Sequence, residues 1–225
     1  MDNVLVNQVT VLPNKGIKEV LGEFNVYKHI KRFFDIICSL GALIILSPVF
    51  LIIAILIKLE SKGPVFFIHK RIGKRGKQIG LYKFRTMVPN AEELIKSFTP
   101  DQMKEFKENF KLENDPRVTK IGNILRKTSL DELPQLINIL KGDLSVVGPR
   151  PVIDEEIEKY GNNKDKFLSV TPGLTGYWAA NGRSMTTYPQ RMTMELYYVD
   201  NISWKLDLKI ILKTVVSVVK KEGAI

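Results

Sequence analysis

Apolar positions in this chain are concentrated in one long run. Between residues 33 and 59 only Asp35 and Lys58 carry charge. A charge at the centre of an inserted helix costs roughly 2.5–3.5 kcal/mol, so a run this clean partitions into lipid. As a single helix it would be about 40 Å long at 1.5 Å per residue, against a hydrocarbon core of about 30 Å. Ser47-Pro48 falls near its middle. Pro48 removes a backbone donor and crowds the carbonyl four residues back, and the Ser47 hydroxyl can serve the carbonyl so freed. Both flanks are basic, with Lys28, Lys31 and Arg32 before the run and Lys58, Lys62, Lys70, Arg71, Lys74, Arg75 and Lys77 after it. An excess of Lys and Arg marks the cytoplasmic side, which favours both ends there. Two readings stand: a re-entrant helical hairpin bent at Ser47-Pro48, and an ordinary kinked span. The run starts too late and is too long for a signal peptide.

Elsewhere the pattern is of short elements. Residues 1–26 are mixed in polarity and broken by Pro13 and Gly16. They read as an N-terminal extension, with a short amphipathic helix around 17–24. The membrane helix occupies 27–60, and 61–225 forms a domain at the membrane surface. Residues 65–68 and 80–85 read as strands joined by a basic turn over 70–77. Helical patterns cover 91–112 with a break at Thr99-Pro100, then 120–126, 133–140, 154–160 and 190–199. Residues 146–151 and 169–183 read as loop and turn. Within 202–221, Leu206, Ile210, Ile211, Val215, Val218 and Val219 recur near helical spacing with Lys205, Lys209, Lys213 and Lys220 between them. That suits a helix lying in the membrane interface, lysines at the headgroups. It equally suits a core-facing helix with a solvated face. The expected fold is helix-rich α+β: a re-entrant membrane hairpin, interfacial amphipathic helices and a small β element.

Composition narrows the partners. The 225 residues carry a net charge of +10, which fits nucleic acid, an anionic membrane surface or a phosphorylated substrate. The basic residues lie beside the apolar run and no recognition motif accompanies them, so nucleic acid is not an expected partner. The single cysteine, Cys38, lies inside the run. It forms no intrachain disulfide, so the fold needs no oxidising compartment.

The richest stretch for chemistry is 115–151. It holds Arg117, Arg126 and Lys127, then Ser129-Leu130-Asp131-Glu132-Leu133-Pro134, then Gly148-Pro149-Arg150-Pro151. Ser129 and Glu132 have the spacing of a capping box, and Pro134 suits a first helical turn. The same residues suit another role. Adjacent carboxylates among cations match a phosphate and a divalent ion, since Mg²⁺ takes one or two protein carboxylates plus substrate phosphates. An aspartate can also serve as a nucleophile toward phosphorus.

These segments resemble the small monotopic phosphoglycosyl transferases, the bacterial sugar transferases that start polysaccharide and glycoconjugate assembly. The matching stretches are KRFFDIICSLGALIILSP at 31–48, GPVFFIHKRIGKRG at 63–76, YKFRTM at 82–87, DPRVTKIGNILRKTSLDELPQLINILKGDLSVVGPRP at 115–151, PGLTGYWAANGR at 172–183 and ELYYVDNISWKLDLKIILKT at 195–214. The resemblance implies transfer of a sugar-1-phosphate from a UDP-sugar to polyprenol (undecaprenyl) phosphate, with release of UMP. It implies Asp131 as the nucleophile and a covalent phosphosugar intermediate, and Glu132, with Asp131 beside it, as a ligand for Mg²⁺. Arg150 and Arg126 are the expected phosphate clamps, since planar bidentate donors suit phosphate. Lys83 and Arg85 are further phosphate candidates, and Asn181 and Arg183 are candidates for nucleotide or sugar. The resemblance also implies that Ser47-Pro48 makes the re-entrant break, and that the protein sits monotopically on the cytoplasmic face of the cell membrane. Its partners are then membrane lipids, the two substrates and downstream glycosyltransferases. The chain departs from the family pattern at His69, where Gln is common, and at Glu195, where Asp is common. An alternative of another class is a non-catalytic membrane adaptor for phosphorylated ligands.

Overall fold

One helix dominates the molecule. The computed structural model describes residues 17–109, 112, 115–182 and 185–219. Its elements run α1 (Ile17–Glu60), β1 (Phe66–Ile72), β2 (Gln78–Phe84), α2 (Ala91–Leu94), α3 (Pro100–Asn109), α4 (Lys120–Thr128), α5 (Gln135–Lys141), β3 (Ser145–Val147), α6 (Asp154–Ile157), α7 (Lys164–Leu168), β4 (Gly173–Thr175), α8 (Tyr177–Asn181), α9 (Tyr188–Asp200) and α10 (Trp204–Val219). β1 and β2 form an antiparallel hairpin, and β3 and β4 pair in parallel. The class is the expected helix-rich α+β.

α1 has 44 residues, about 66 Å at 1.5 Å per residue. Residues 17–24, expected as a separate short helix, are its first turns. The halves on either side of Ser47-Pro48 form one helical element. Ser47 Oγ donates to the Ile44 carbonyl at 2.8 Å, which is the acceptor that Pro48 cannot serve.

Between residues 36 and 57 α1 carries no charge on any face, and its two faces have different neighbours. One stripe, spaced three and four residues apart, docks on the domain. Ala42, Leu43 and Leu46 pack against Ile79, Leu81, Leu136 and Ile139. Val49, Phe50, Ile53 and Ile57 share a cluster with Phe84 and Leu125. Polar anchors fix both ends of this stripe. Arg32 donates to the carbonyls of Ile139 and Leu140 at 2.5 and 2.7 Å, placing its charge at the C-terminus of α5, where the Ile139 carbonyl also accepts from the Gly142 amide. Asp35 accepts from Ser145 Oγ and the Val146 amide at 3.0 and 2.8 Å. Glu60 accepts from the Lys120 and Ile121 amides at 2.7 and 3.0 Å, so it caps α4 from outside that helix. The opposite stripe is bare. Phe33, Ile37, Ile44, Leu51 and Ile52 are exposed, and Ile45 and Leu59 reach 77% and 78%. A helical run without charge and with one bare apolar face is built for lipid, and this is a membrane protein.

α10 divides into three sectors. Leu206, Ile210 and Ile211 pack inward against Val147 and Tyr198. Leu208, Leu212, Val215 and Val216 are exposed, and Lys205, Lys209 and Lys213 lie between the two. The helix therefore packs on the core with one sector and leaves a second apolar sector exposed. The apolar set expected to face one way is split between core and surface.

The hairpin is longer than its sequence pattern predicts, because β1 takes in Lys70 and Arg71 and its turn narrows to 73–77. Arg75 and Gly76 make that turn with φ of 56° and 75°. β2 is held to α5 by one side chain. Asn138, fully buried, accepts from the Tyr82 amide at 2.9 Å and donates to the Gly80 carbonyl at 2.7 Å. Asn138→Ala strands both backbone groups. It is expected to cost about 2–4 kcal/mol, measured as a drop in thermal midpoint in detergent micelles.

Candidate active site

The sequence around Asp131 is shaped by two leucines. Leu130 and Leu133 turn inward to the cluster of Ile53, Phe84 and Leu125. That leaves Asp131 and Glu132, in a 3-10 turn over Leu130–Glu132, facing the other way. Ser129 closes α4 in the left-handed region, with φ of 56°, and its side chain caps nothing. The capping box is therefore not formed. Glu132 instead accepts from Lys83 Nζ at 2.6 Å, and the same ammonium lies 3.7 Å from Asp131 Oδ2.

Lys83 has company on its strand face. The register pairs Phe67 with Lys83, His69 with Leu81 and Arg71 with Ile79, so His69, Arg71 and Lys83 project to one side. Arg71 pairs with Glu156 at 3.3 Å, and Glu156 also accepts from Arg191 at 2.9 Å. Arg191 lies 4.8 Å from the Trp178 ring centre and Arg150 lies 5.8 Å from it. Arg150 makes no ion pair among the described residues.

The GPRP loop that carries Arg150 is held by a tight backbone crossing. Gly148 donates to the Thr175 carbonyl at 2.9 Å, and Gly173 donates to that of Pro149 at 2.8 Å. A Cβ on Gly148, Gly173 or Gly176 would run into backbone atoms of this crossing. The glycines of GPRP and PGLTG are therefore parts of one joint. Residues 169–183 are accordingly more than loop and turn, since β4 and α8 lie within them. The Arg150 amide donates to Glu195 Oε1 at 3.1 Å.

The two dyad carboxylates differ electrically. Burial raises the Asp131 carboxyl above the usual aspartate range. Lys83 and Arg126 offset this in part, and the neighbouring Glu132 adds to it. Burial also acts upward on Glu132, but the charges of Lys83, Arg150 and Arg71 outweigh it and hold Glu132 below its usual range. His69 is pushed down to about 4 by burial and by Arg71, Lys83 and Arg150, so it is neutral at pH 7. Arg71 is lowered to about 10, by burial first and then Arg150, and keeps its charge.

Some expected site residues lie elsewhere. Arg85 is buried and donates to the Ser61 and Lys62 carbonyls and to Ser61 Oγ. It straps the end of α1 and is not a phosphate contact in this geometry. Asn181 donates to the Tyr177 carbonyl and accepts from Lys213, so it ties α8 to α10. Arg126 donates to Thr86 Oγ1 at 3.0 Å and stays within the electrostatic reach of Asp131. Arg183 lies outside the described residues. His69, Arg71, Glu156 and Arg191 were not expected as site residues. Only the period-2 alternation of β1, carried through to Ile72, signals the first two.

Glu195 is 1% exposed, and its Oε2 has no partner among the described residues. Burial pushes it up to about 7 against the pull of the Arg150 amide, Arg191 and Arg150. Its folded value lies above its unfolded one, so the native state binds the extra proton between pH 4.5 and 7. Stability is expected to fall across that interval as pH rises, by up to about 3 kcal/mol. Glu195→Gln should flatten the dependence, as read by thermal midpoints from pH 5 to 8.

Comparison with known proteins places the chain in a family. The bacterial sugar transferase family matches residues 26–221. The undecaprenyl-phosphate galactose phosphotransferase of Salmonella typhimurium is 42% identical over 200 residues, covering 88% of this chain and 42% of that protein. The exopolysaccharide production protein ExoY of Rhizobium meliloti is 44% identical over 197 residues, covering 86% and 87%. The galactosyl transferase CpsE of Streptococcus agalactiae is 37% identical over 227 residues, covering 99% and 50%. The chain thus spans half or less of two of these relatives and most of the third. With the match to residues 26–221 and the likeness to ExoY over most of both chains, it belongs to the bacterial sugar transferase family.

Proposed function

We propose that the protein transfers a sugar-1-phosphate from a UDP-sugar to polyprenol phosphate and releases UMP. The names of the Salmonella relative and of the Aeromonas hydrophila N-acetylgalactosaminephosphotransferase, which acts on undecaprenyl phosphate, support this substrate pair. The asymmetry of the dyad carries the reading. Glu132 is bound by Lys83 and kept ionised, and Asp131 is the more basic, buried carboxylate beside it. The more basic of two carboxylates is the better nucleophile.

In the first step an Asp131 oxygen bonds to the sugar-bearing phosphorus. The bond from that phosphorus to the bridging oxygen breaks, and UMP departs with the electron pair. In the second step an oxygen of polyprenol phosphate bonds to the same phosphorus and Asp131 leaves as a carboxylate. The product passes to glycosyltransferases that extend it. Lys83, Arg150 and Arg71 stabilise charge on the phosphates, the main task in phosphoryl transfer. Arg191 supports the same role, because its Nε and Nη2 are buried without partners among the described residues.

The residues suit Mg²⁺ carried in with the nucleotide. Two adjacent carboxylates supply what that ion takes from protein when phosphates provide the rest. Among the described residues no group of three or more His, Cys, Asp or Glu side chains converges on one point, which fits an ion not caged by protein. Glu132 would hold it with Asp131 beside it, and it would neutralise phosphate charge.

The docking of α1 supports a reading of the membrane arrangement. Lys31, near one end, pairs with Asp207 at 2.6 Å, and Glu60, at the other, caps α4. Both ends thus belong to one domain, and a helix crossing the bilayer would divide them. With basic flanks at both ends, this supports a monotopic, re-entrant placement on the cytoplasmic face. Cysteines at Lys28 and Lys62 should both resist labelling from outside intact cells.

The direct test is a screen for UMP release across UDP-sugars, with polyprenol phosphate and Mg²⁺ present. Release that needs Mg²⁺ and ceases with EDTA is expected for at least one sugar. Binding of UDP-sugars without any UMP release would favour the adaptor.

A further inference from the structure

A cavity of about 240 Å³ lies away from the dyad. It is smaller than the roughly 300 Å³ at which pockets for drug-sized ligands begin. Its walls come from the start of α1, the end of α5, the hairpin turn and the 169–171 loop. The dyad precedes the start of α5 and meets the far end of β2 through Lys83. Gln78 at the turn and Lys83 at the dyad are five residues apart on β2, about 17 Å at 3.3 Å per residue.

The lining is strongly one-sided in charge. Lys28, Lys31, Arg32 and Lys74 face it, with Asp35 the one carboxylate among the lining residues. Asp35 is already engaged by Ser145 Oγ and the Val146 amide. Lys31 is neutralised by Asp207. Arg32 is held in place by the two carbonyls at the end of α5. Lys74 lines the cavity with Lys28, and burial, together with the like charges of Lys28 and Arg75, lowers its pKa. No carboxylate pairs with Lys74 among the described residues. Like charges brought together at a concave surface are relieved by an anion.

The position of the cavity specifies the anion. Tyr27, in its wall, and Phe34 meet Trp204 edge-on, with ring centres 5.5 and 6.1 Å apart. Aromatic residues of this kind gather at the headgroup level. On the far side of the same turns of α1, Ile30, Phe33 and Ile37 are exposed. The cationic wall therefore begins where the lipid-facing surface begins.

We propose that this cavity binds the phosphate of an anionic phospholipid headgroup, seated by Lys28, Arg32 and Lys74. The site does not depend on the reading of Asp131. It fastens the start of α1 to the headgroup layer while the catalytic dyad works elsewhere on the domain.

The test uses the full chain in a neutral detergent. Phosphatidylglycerol, phosphatidylcholine with the same acyl chains, and inorganic phosphate are added separately. Thermal midpoints are read, and retained lipid is counted by native mass spectrometry. Phosphatidylglycerol is expected to raise the midpoint by several degrees and to remain bound as one copy, with little effect from phosphatidylcholine. Lys28→Gln/Lys74→Gln should lose most of both effects, and Lys28→Arg/Lys74→Arg should keep them. The lipid-free midpoint of each variant reports its folding. Equal stabilisation by the two lipids, or undiminished stabilisation of the Gln variant, overturns the proposal. Protection by inorganic phosphate with none from phosphatidylglycerol also overturns it, by assigning the cavity to a soluble anion.

Discussion

Asp131→Asn is expected to abolish UMP release, by a factor on the order of 10⁴ or more, the scale seen when a covalent nucleophile is removed. The substitution keeps the shape of the side chain and removes its charge. Asp131 is 9% exposed and burial works against its ionised form, so the amide should fold at least as well as the acid. Membrane association through α1 should be unchanged. Wild-type rates in this variant would sink the mechanism. So would an isotope label from the donor phosphate that never appears on the wild-type protein when acceptor is withheld. The pH profile offers a second reading. A carboxylate nucleophile must be ionised, and the folded pKa of Asp131 is raised. kcat/KM should therefore fall on acidification at a pH above the ordinary aspartate range, and the fall belongs to this group and not to Glu132, which is held low.

Legibility in the sequence tracked the range of the forces involved. The apolar run declared itself because transfer to lipid depends on composition over about twenty residues. Ser47-Pro48 declared itself because the donor Pro48 lacks is a local fact, and the Ser47 hydroxyl answers it within one turn. Asp131 and Glu132 were visible as adjacent carboxylates among cations, a pattern that suited a capping box as well, and only the family resemblance proposed a role for them. The capping box at Ser129 was a local pattern that lost to packing. Seating Leu130 and Leu133 against Ile53 and Phe84 requires the chain to turn sharply after α4, and Ser129 takes the left-handed conformation that turn needs. Arg85 and Lys83 are two residues apart on YKFRTM, and no local signal separates them. One meets Glu132 because β2 crosses the 3-10 turn there, and the other meets the end of α1. Glu195 joins the site through the Arg150 amide, 45 positions away in sequence, a contact visible only once the chain is folded.

Asp207→Ala should be the most destabilising substitution outside the dyad, at about 3–5 kcal/mol. Asp207 is 3% exposed and accepts from Tyr27 Oη at 2.6 Å, Lys31 Nζ at 2.6 Å and Tyr198 Oη at 2.8 Å. One carboxylate on α10 thus ties the start of α1 to α9. Its loss leaves the ammonium of Lys31, 15% exposed, without its counter-charge, takes the acceptor from Tyr27 Oη, and leaves Tyr198 Oη the longer contact to the Val147 carbonyl at 3.3 Å. An unpaired buried charge costs far more than the pair contributes, so most of the penalty comes from what is left behind. For a chain of this length the thermal midpoint should fall by about 10 °C. A built-in control is Asp143, which meets Lys77 at 3.5 Å with that lysine 73% exposed. Asp143→Ala should change stability by less than about 1 kcal/mol, as solvated pairs do. Lys31→Met combined with Asp207→Leu should recover much of the loss, because it removes both charges together. If Asp207→Ala and Asp143→Ala prove equal, the Asp207 hub does not anchor α1. If they differ as expected, α1 is fastened at Tyr27 and Lys31 to α10 and, through Tyr198, to α9, the helix that also supplies Arg191 and Glu195. The membrane anchor and the site's cationic wall then share one support.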